Sequence, residues 1–117
     1  MCRVEIDEAA KPEIVALPDG LKSRLARYIL RIQDVGLEGL DAGVARHVEG
    51  KLWDLRLKAP VGIARTLYFT LHPKRVLIVS AFVKKTQKLP LREKEKAESR
   101  MKAIVDKEAA KVRESKS

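Results

Sequence analysis

The chain has 117 residues, 45% of them hydrophobic and 35% charged, with a formal net charge of +9; this suits one domain with a modest core and excludes a disordered chain. No apolar run approaches the roughly 20 residues a membrane span needs, and one cysteine, Cys2, excludes an internal disulfide and a thiol-rich zinc site. The opening "MCRVEIDEAA" has no apolar signal core, so the expectation is a cytoplasmic protein without a membrane partner.

The first predicted element is a short edge strand, "RVEI" at residues 3–6, and Pro12 interrupts the stretch after it. "LPDG" at 17–20 opens a helix with Asp19 as its N-cap, and Leu21, Leu25, Ile29 and Ile32 recur at helical spacing until Gly36 stops it. A second, shorter helix is expected over about 39–49, with Leu40, Val44 and Val48 as its stripe and Gly50 closing it. The period then changes. In "KLWDLRLK" Trp53, Leu55 and Leu57 alternate with Asp54, Arg56 and Lys58, which predicts a half-buried strand. "APVG" is turn chemistry, "IARTLYFTL" at 63–71 a second strand, "HPKR" a hairpin turn and "VLIVSAFV" a third strand. The third strand lacks alternation and should be central, covered on both faces. Short connections favour an antiparallel meander. After Pro90 comes a charged helix with Ala97, Met101, Ile104, Val105 and Val112 on one stripe, expected to fray from about residue 106. The layout predicts an α+β fold in two layers, a single domain over residues 1–117.

Charge is unevenly placed along this layout. Residues 1–50 hold seven Lys/Arg against nine Asp/Glu, whereas residues 51–91 hold nine against one. Cations concentrated among strand-forming residues attract polyanions, nucleic acid above all; those of the last helix read as solubilising. Arg56 and Lys58 share the polar face of the first meander strand, about 7 Å apart. Lys84, Lys85, Thr86, Gln87 and Lys88 leave the third strand at the end where an up-down-up meander also brings Arg65. Arg56, Lys58, Arg65, Lys84 and Lys85 should therefore converge, and a phosphate there would find donors in Thr86 and Gln87. Arg65 has two readings. Strict alternation puts it on the face of Ile63, Leu67, Phe69 and Leu71, so it either caps the core's edge or lies where the sheet opens.

RNA cleavage through 2′-OH attack needs a proton acceptor, positive charge for the phosphorane and a proton for the leaving oxygen. Arginines serve the second need, and a lysine crowded by cations can serve the others. His47 and His72 are not placed together by the predicted elements and read as structural. Tyr68 and Phe69 give weak support for base stacking, with Phe69 better assigned to the core.

"HVEGKLWDLRL", "GIARTLYF", "VLIVSAFVKKTQKLP" and "AESRMKAI" together resemble the phage-derived branch of the RelE/HigB toxins of bacterial toxin–antitoxin pairs. The likeness covers roughly residues 47–105. It implies a RelE-like fold, with N-terminal helices on a mostly antiparallel sheet and a C-terminal helix. It also implies an mRNA endonuclease acting in the ribosomal A site and silenced by a co-expressed antitoxin of helix-turn-helix type; the cluster itself, with no His, Asp/Glu pair or metal cage, leads to an expectation of chemistry without metal or cofactor. Carried over by position, Arg56, Arg65 and Lys84 are the catalytic candidates, with Lys51, Lys58, Lys85, Thr86, Gln87 and Lys88 holding the RNA backbone. Ala64 stands where the family often has an aromatic and Ala81 where glycine is common, which puts a base-stacking partner in question. Two alternatives stay open: a non-catalytic module binding RNA or antitoxin on the same scaffold, and, behind it, a DNA-binding protein.

Overall fold

The computed structural model describes residues 2–71, 74–85 and 88–115. Its centre is a five-stranded sheet in the order β1-β5-β4-β3-β2. The strands are β1 (Arg3–Ile6), β2 (Ala45–Glu49), β3 (Leu52–Ala59), β4 (Gly62–Leu71) and β5 (Arg75–Val83). β2 to β5 form an antiparallel meander, and β1 joins the far edge parallel to β5. The helices are α1 (Lys11–Val15), α2 (Asp19–Val35) and α3 (Leu91–Ser115). Among the described residues no helix is long and apolar enough to cross a membrane.

The α+β class and mostly antiparallel sheet match expectation, and β1 is the edge strand foreseen. Three features differ. Asp19 is the first helical residue of α2, not its cap; Pro18 holds the cap position and makes no side-chain cap bond. The helix expected over 39–49 is a 3₁₀ turn at Leu37–Gly39 followed by β2. Val44 packs on the α2 side of the sheet and Val48 on the α3 side, which one helical stripe cannot do. Gly43, at φ 83°, turns the chain into the strand, and the Val44 carbonyl accepts the Arg56 N–H at 2.8 Å. The third difference is the layering. α2 covers one face with Leu21, Leu25 and Ile32 over Leu55, Leu57, Tyr68 and Ile78. α3 covers part of the other with Ala97, Met101 and Ile104 over Leu52, Leu67, Phe69 and Val79, so the sheet lies between helices rather than in two layers. Each fully buried leucine here contributes about 1.5–3 kcal/mol relative to exposure.

α3 runs without a break past residue 106, where fraying was expected. Glu108 accepts a bond from Arg75 at 3.1 Å, and Arg75 also holds Glu5 of β1. Nearer its start, α3 is tied to α1. Glu13 accepts from Arg100 at 2.8 Å and from Lys96 at 2.7 Å. Burial pushes Glu13 up, but the bonds from Arg100, Lys96 and the Ala81 N–H leave it below the ordinary carboxylate value. A depressed carboxylate adds stability that is present above its unfolded-state pKa and fades as pH falls through the folded one. Glu13→Gln is therefore expected to be less stable than the parent at neutral pH, with the gap closing in acid below the ordinary carboxylate value. Urea midpoints across that range measure it; a gap independent of pH contradicts the assignment.

Candidate active site

Three strands and the chain leaving a fourth bring five charged side chains to one patch. Arg56 on β3 lies directly opposite Arg65 on β4, and Asp54, two residues before Arg56, lies opposite Arg46 on β2. Lys84 continues the ladder past β5, its N–H donating to the Ile63 carbonyl at 2.8 Å. Period-two alternation puts these side chains on the α3 face of the sheet, beyond the apolar half that α3 covers. Arg46, Asp54, Arg56, Arg65 and Lys84 line a cavity of about 180 Å³.

Four cations on adjacent strands repel one another, and the one carboxylate among them relieves this. Asp54 Oδ2 sits 2.7 Å from Arg65 Nε, with side chains only 3% and 14% exposed. Burial outweighs the attraction of Arg65, Arg46 and Arg56, so the Asp54 carboxyl is held above the ordinary aspartate value. Lys84 is pushed below the usual lysine value, first by desolvation and then by Arg56, Arg65 and Arg46. Asp54 Oδ1 and Arg65 Nη1 are buried without a hydrogen-bond partner among the described residues. The cluster thus holds a buried unused acceptor and donor beside a cavity with a surplus of positive charge, and that charge suits a phosphodiester.

The candidates Arg56, Arg65 and Lys84 are brought together. Lys58 lies on β3 beside a second cavity of about 290 Å³, which shares Arg46 and Arg56 with the first and adds Tyr28, Ala42, Gly43 and Val44. Lys85 and Lys88 are exposed at the strand's exit, while Thr86 and Gln87, with His72 of the expected "HPKR" turn, lie outside the described residues. Lys51 does not join the cluster. It sits in the β2–β3 connection and lines a cavity of about 520 Å³ with Cys2, Thr70, Lys74 and Arg75, at the other end of the sheet.

Arg65 satisfies both of its readings: it shares the face of Leu67 and Phe69, and it meets Arg56 where α3 no longer covers the sheet. Arg46 and Asp54 were not anticipated. Arg46 falls within the stretch expected to be helical. Asp54 looked like one more solvent-facing residue of an alternating strand, and alternation reports a shared face without saying what covers it. His47 is structural, its ring 5.2 Å from Trp53 and its Nε2 2.8 Å from the Gly50 carbonyl. Tyr68 is buried on the α2 side, its hydroxyl pushed up to about 12 by burial and the Asp54 charge, so it stacks on no base; Phe69 is core. Ala64 and Ala81 also face the α2 core, so an aromatic at 64 would fill the interior rather than the site.

The family profile described as "Phage derived protein Gp49-like (DUF891)" matches residues 12–102. No curated protein sequence matches significantly. Among solved structures, the RelBE2 toxin–antitoxin complex of Mycobacterium tuberculosis superposes with a TM-score of 0.54 at 14% identity, over 71% of this chain and 98% of that one. The intact Escherichia coli RelBE toxin–antitoxin complex gives 0.51 at 16%, over 74% and 100%. A substituted E. coli RelE toxin in the free state gives 0.50 at 15%, over 69% and 81%. At these identities the likeness is one of fold.

Proposed function

This chain belongs to the Gp49-like family of phage-derived proteins, and from that membership, its RelE-type fold and its cationic cavity we propose that it is the toxin of a toxin–antitoxin pair, an endoribonuclease that cuts mRNA on the ribosome. The observation that carries the reading is the convergence of Arg46, Arg56, Arg65 and Lys84 on one cavity with Asp54. In the proposed reaction a 2′-OH loses its proton as its oxygen bonds to the adjacent phosphorus. The bond from phosphorus to the 5′-oxygen breaks, and that oxygen takes up a proton, leaving a 2′,3′-cyclic phosphate and a 5′-hydroxyl. Arg56 and Arg65 stabilise the phosphorane, and preorganised charges aimed at developing charge are the largest catalytic lever such a site has. Asp54, the one carboxylate lining the cavity among the described residues, provides the proton acceptor. Lys84, a lysine already less basic than usual, provides the proton for the leaving oxygen. The reaction is drawn without a metal, since guanidinium and ammonium groups supply the charge. The second cavity, with Lys58 and Tyr28, has room for the flanking nucleotide.

The partners are mRNA, the ribosomal A site and an antitoxin. The similar structures include toxin–antitoxin complexes, which supports an antitoxin of its own; that it is encoded alongside and of helix-turn-helix type is part of the proposal. The test is induced expression in a bacterial host with mapping of RNA ends. Growth arrest with new 5′-hydroxyl ends inside translated messages is expected. RNA or antitoxin binding with intact messages would favour the non-catalytic module instead.

A further inference from the structure

We infer that Glu13 and Arg100 clamp a bulge in β5, and that this clamp presents Lys84 on the cationic face; the functional weight of the inference rests on the role proposed for Lys84 in cleavage. β5 carries one residue more than β4 can pair. Leu67 opposes Ser80 and Tyr68 opposes Ile78, which leaves Val79 over. Because side chains alternate between faces, an extra residue resets the alternation. Before it, Leu77 packs on the α3 side and Ile78 on the α2 side; after it, Ala81 packs on the α2 side and Phe82 on the α3 side. Lys84 shares the parity of Phe82 and so reaches the cavity with Arg65. Were β5 regular beyond Ile78, Ala81 would stand opposite Arg65 in place of Phe82, and Lys84 would point to the α2 face.

A bulge leaves backbone groups without ladder partners, and buried ones must be satisfied. β1 pairs β5 only as far as Ile78, so no strand serves that side of β5 beyond it. Two side chains do so instead. Arg100 Nη1 donates to the Val79 carbonyl at 2.8 Å, and the Ala81 N–H donates to Glu13 Oε1 at 3.2 Å. The pair also holds itself, with Arg100 Nη1 and Nη2 on the two oxygens of Glu13 at 2.8 and 3.2 Å. A guanidinium from α3 and a carboxylate from α1 therefore satisfy an acceptor and a donor on either side of Ser80. Neither lines the cavity. They are positioning residues that act through the register of β5.

Glu13→Ala and Arg100→Gln separate this from a generic packing role, with cross-strand NOEs as the first readout. In the parent chain Arg65 faces Phe82. In the variants that NOE should weaken or give way to one with Ala81, and exchange of the Ala81 amide should quicken by about tenfold or more as its local protection is lost. Glu13→Gln keeps an acceptor for Ala81 and should retain the register. An intact Arg65–Phe82 pattern in both Glu13→Ala and Arg100→Gln overturns the clamp; should one variant fail to fold, the other decides. A cleavage cycle tests the consequence. Arg100→Gln should slow RNA cutting about tenfold or more when Lys84 is present, and less than about twofold in a Lys84→Ala background, because residues acting through one group are not additive. Equal slowing in both backgrounds overturns the positioning role. A parent chain that cuts no RNA sinks the functional reading, and the NOE pattern then decides the clamp alone.

Discussion

Arg65→Ala is expected to destabilise the fold strongly as well as silence it. Its guanidinium is the 2.7 Å partner of Asp54, whose side chain is 3% exposed. Removing one member of a buried ion pair leaves an uncompensated charge, at a cost of about 3–5 kcal/mol. Against a typical domain stability of about 5–15 kcal/mol, that is a large share. Denaturant melts should show the midpoint collapsing. Replacing both partners, as in Asp54→Leu with Arg65→Met, should recover most of the loss, because neither charge then stays buried alone and Leu67, which opposes Asp54, extends an apolar surface. A single variant with parental stability would show the pair to be solvated in solution. The consequence for toxicity assays is direct: loss of growth arrest in Arg65→Ala says nothing about catalysis until folding is measured.

Arg56→Ala and Lys84→Met should behave in the opposite way, folding normally and cutting RNA poorly. Both groups sit where the sheet face is open, and both crowd other cations, so truncation relieves repulsion while emptying no core. Stability changes within about 0.5 kcal/mol are expected, as for surface positions. Removing one preorganised charge from a transition-state site typically costs about 10²- to 10³-fold in rate, and cleavage of a short RNA or of ribosome-bound message is expected to fall by that range for each. Lys84→Met keeps the aliphatic stem, so its loss reports the ammonium alone. Full activity in both variants would refute the cavity as the place of reaction. Cleavage lost together with the fold would point to a structural role.

Much of this site was legible in the sequence because strands are short and connected by tight turns. The alternation of Trp53, Leu55 and Leu57 with Asp54, Arg56 and Lys58 assigned faces along β3, and the "APVG" turn made β4 its antiparallel neighbour. From those two facts Arg56 and Arg65 had to come close. Lys84 was placed by the end at which it leaves the third strand, an argument that fixed the right end of the sheet but not the face, which the bulge decides. Lys51 was drawn into the group by the resemblance and by its charge, but the strand between it and Arg56 carries it to the far end. Arg46 was lost because Leu40, Val44 and Val48 fit a helical stripe, a period that a strand entered through a glycine turn imitates.

Composition, period and turn residues are local properties, and by themselves they determined the elements from β3 onward, the antiparallel meander and the concentration of positive charge upon it. What covers each face is a property of distant segments. Only the tertiary structure decided that α3 covers the apolar half of that sheet face and leaves the cationic half beyond it, that Asp54 is buried there against Arg65, and that side chains from α1 and α3 bond the bulge that precedes Lys84. The reason is physical: desolvation and ion pairing depend on which atoms exclude water from a charge, and those atoms lie tens of residues away along the chain.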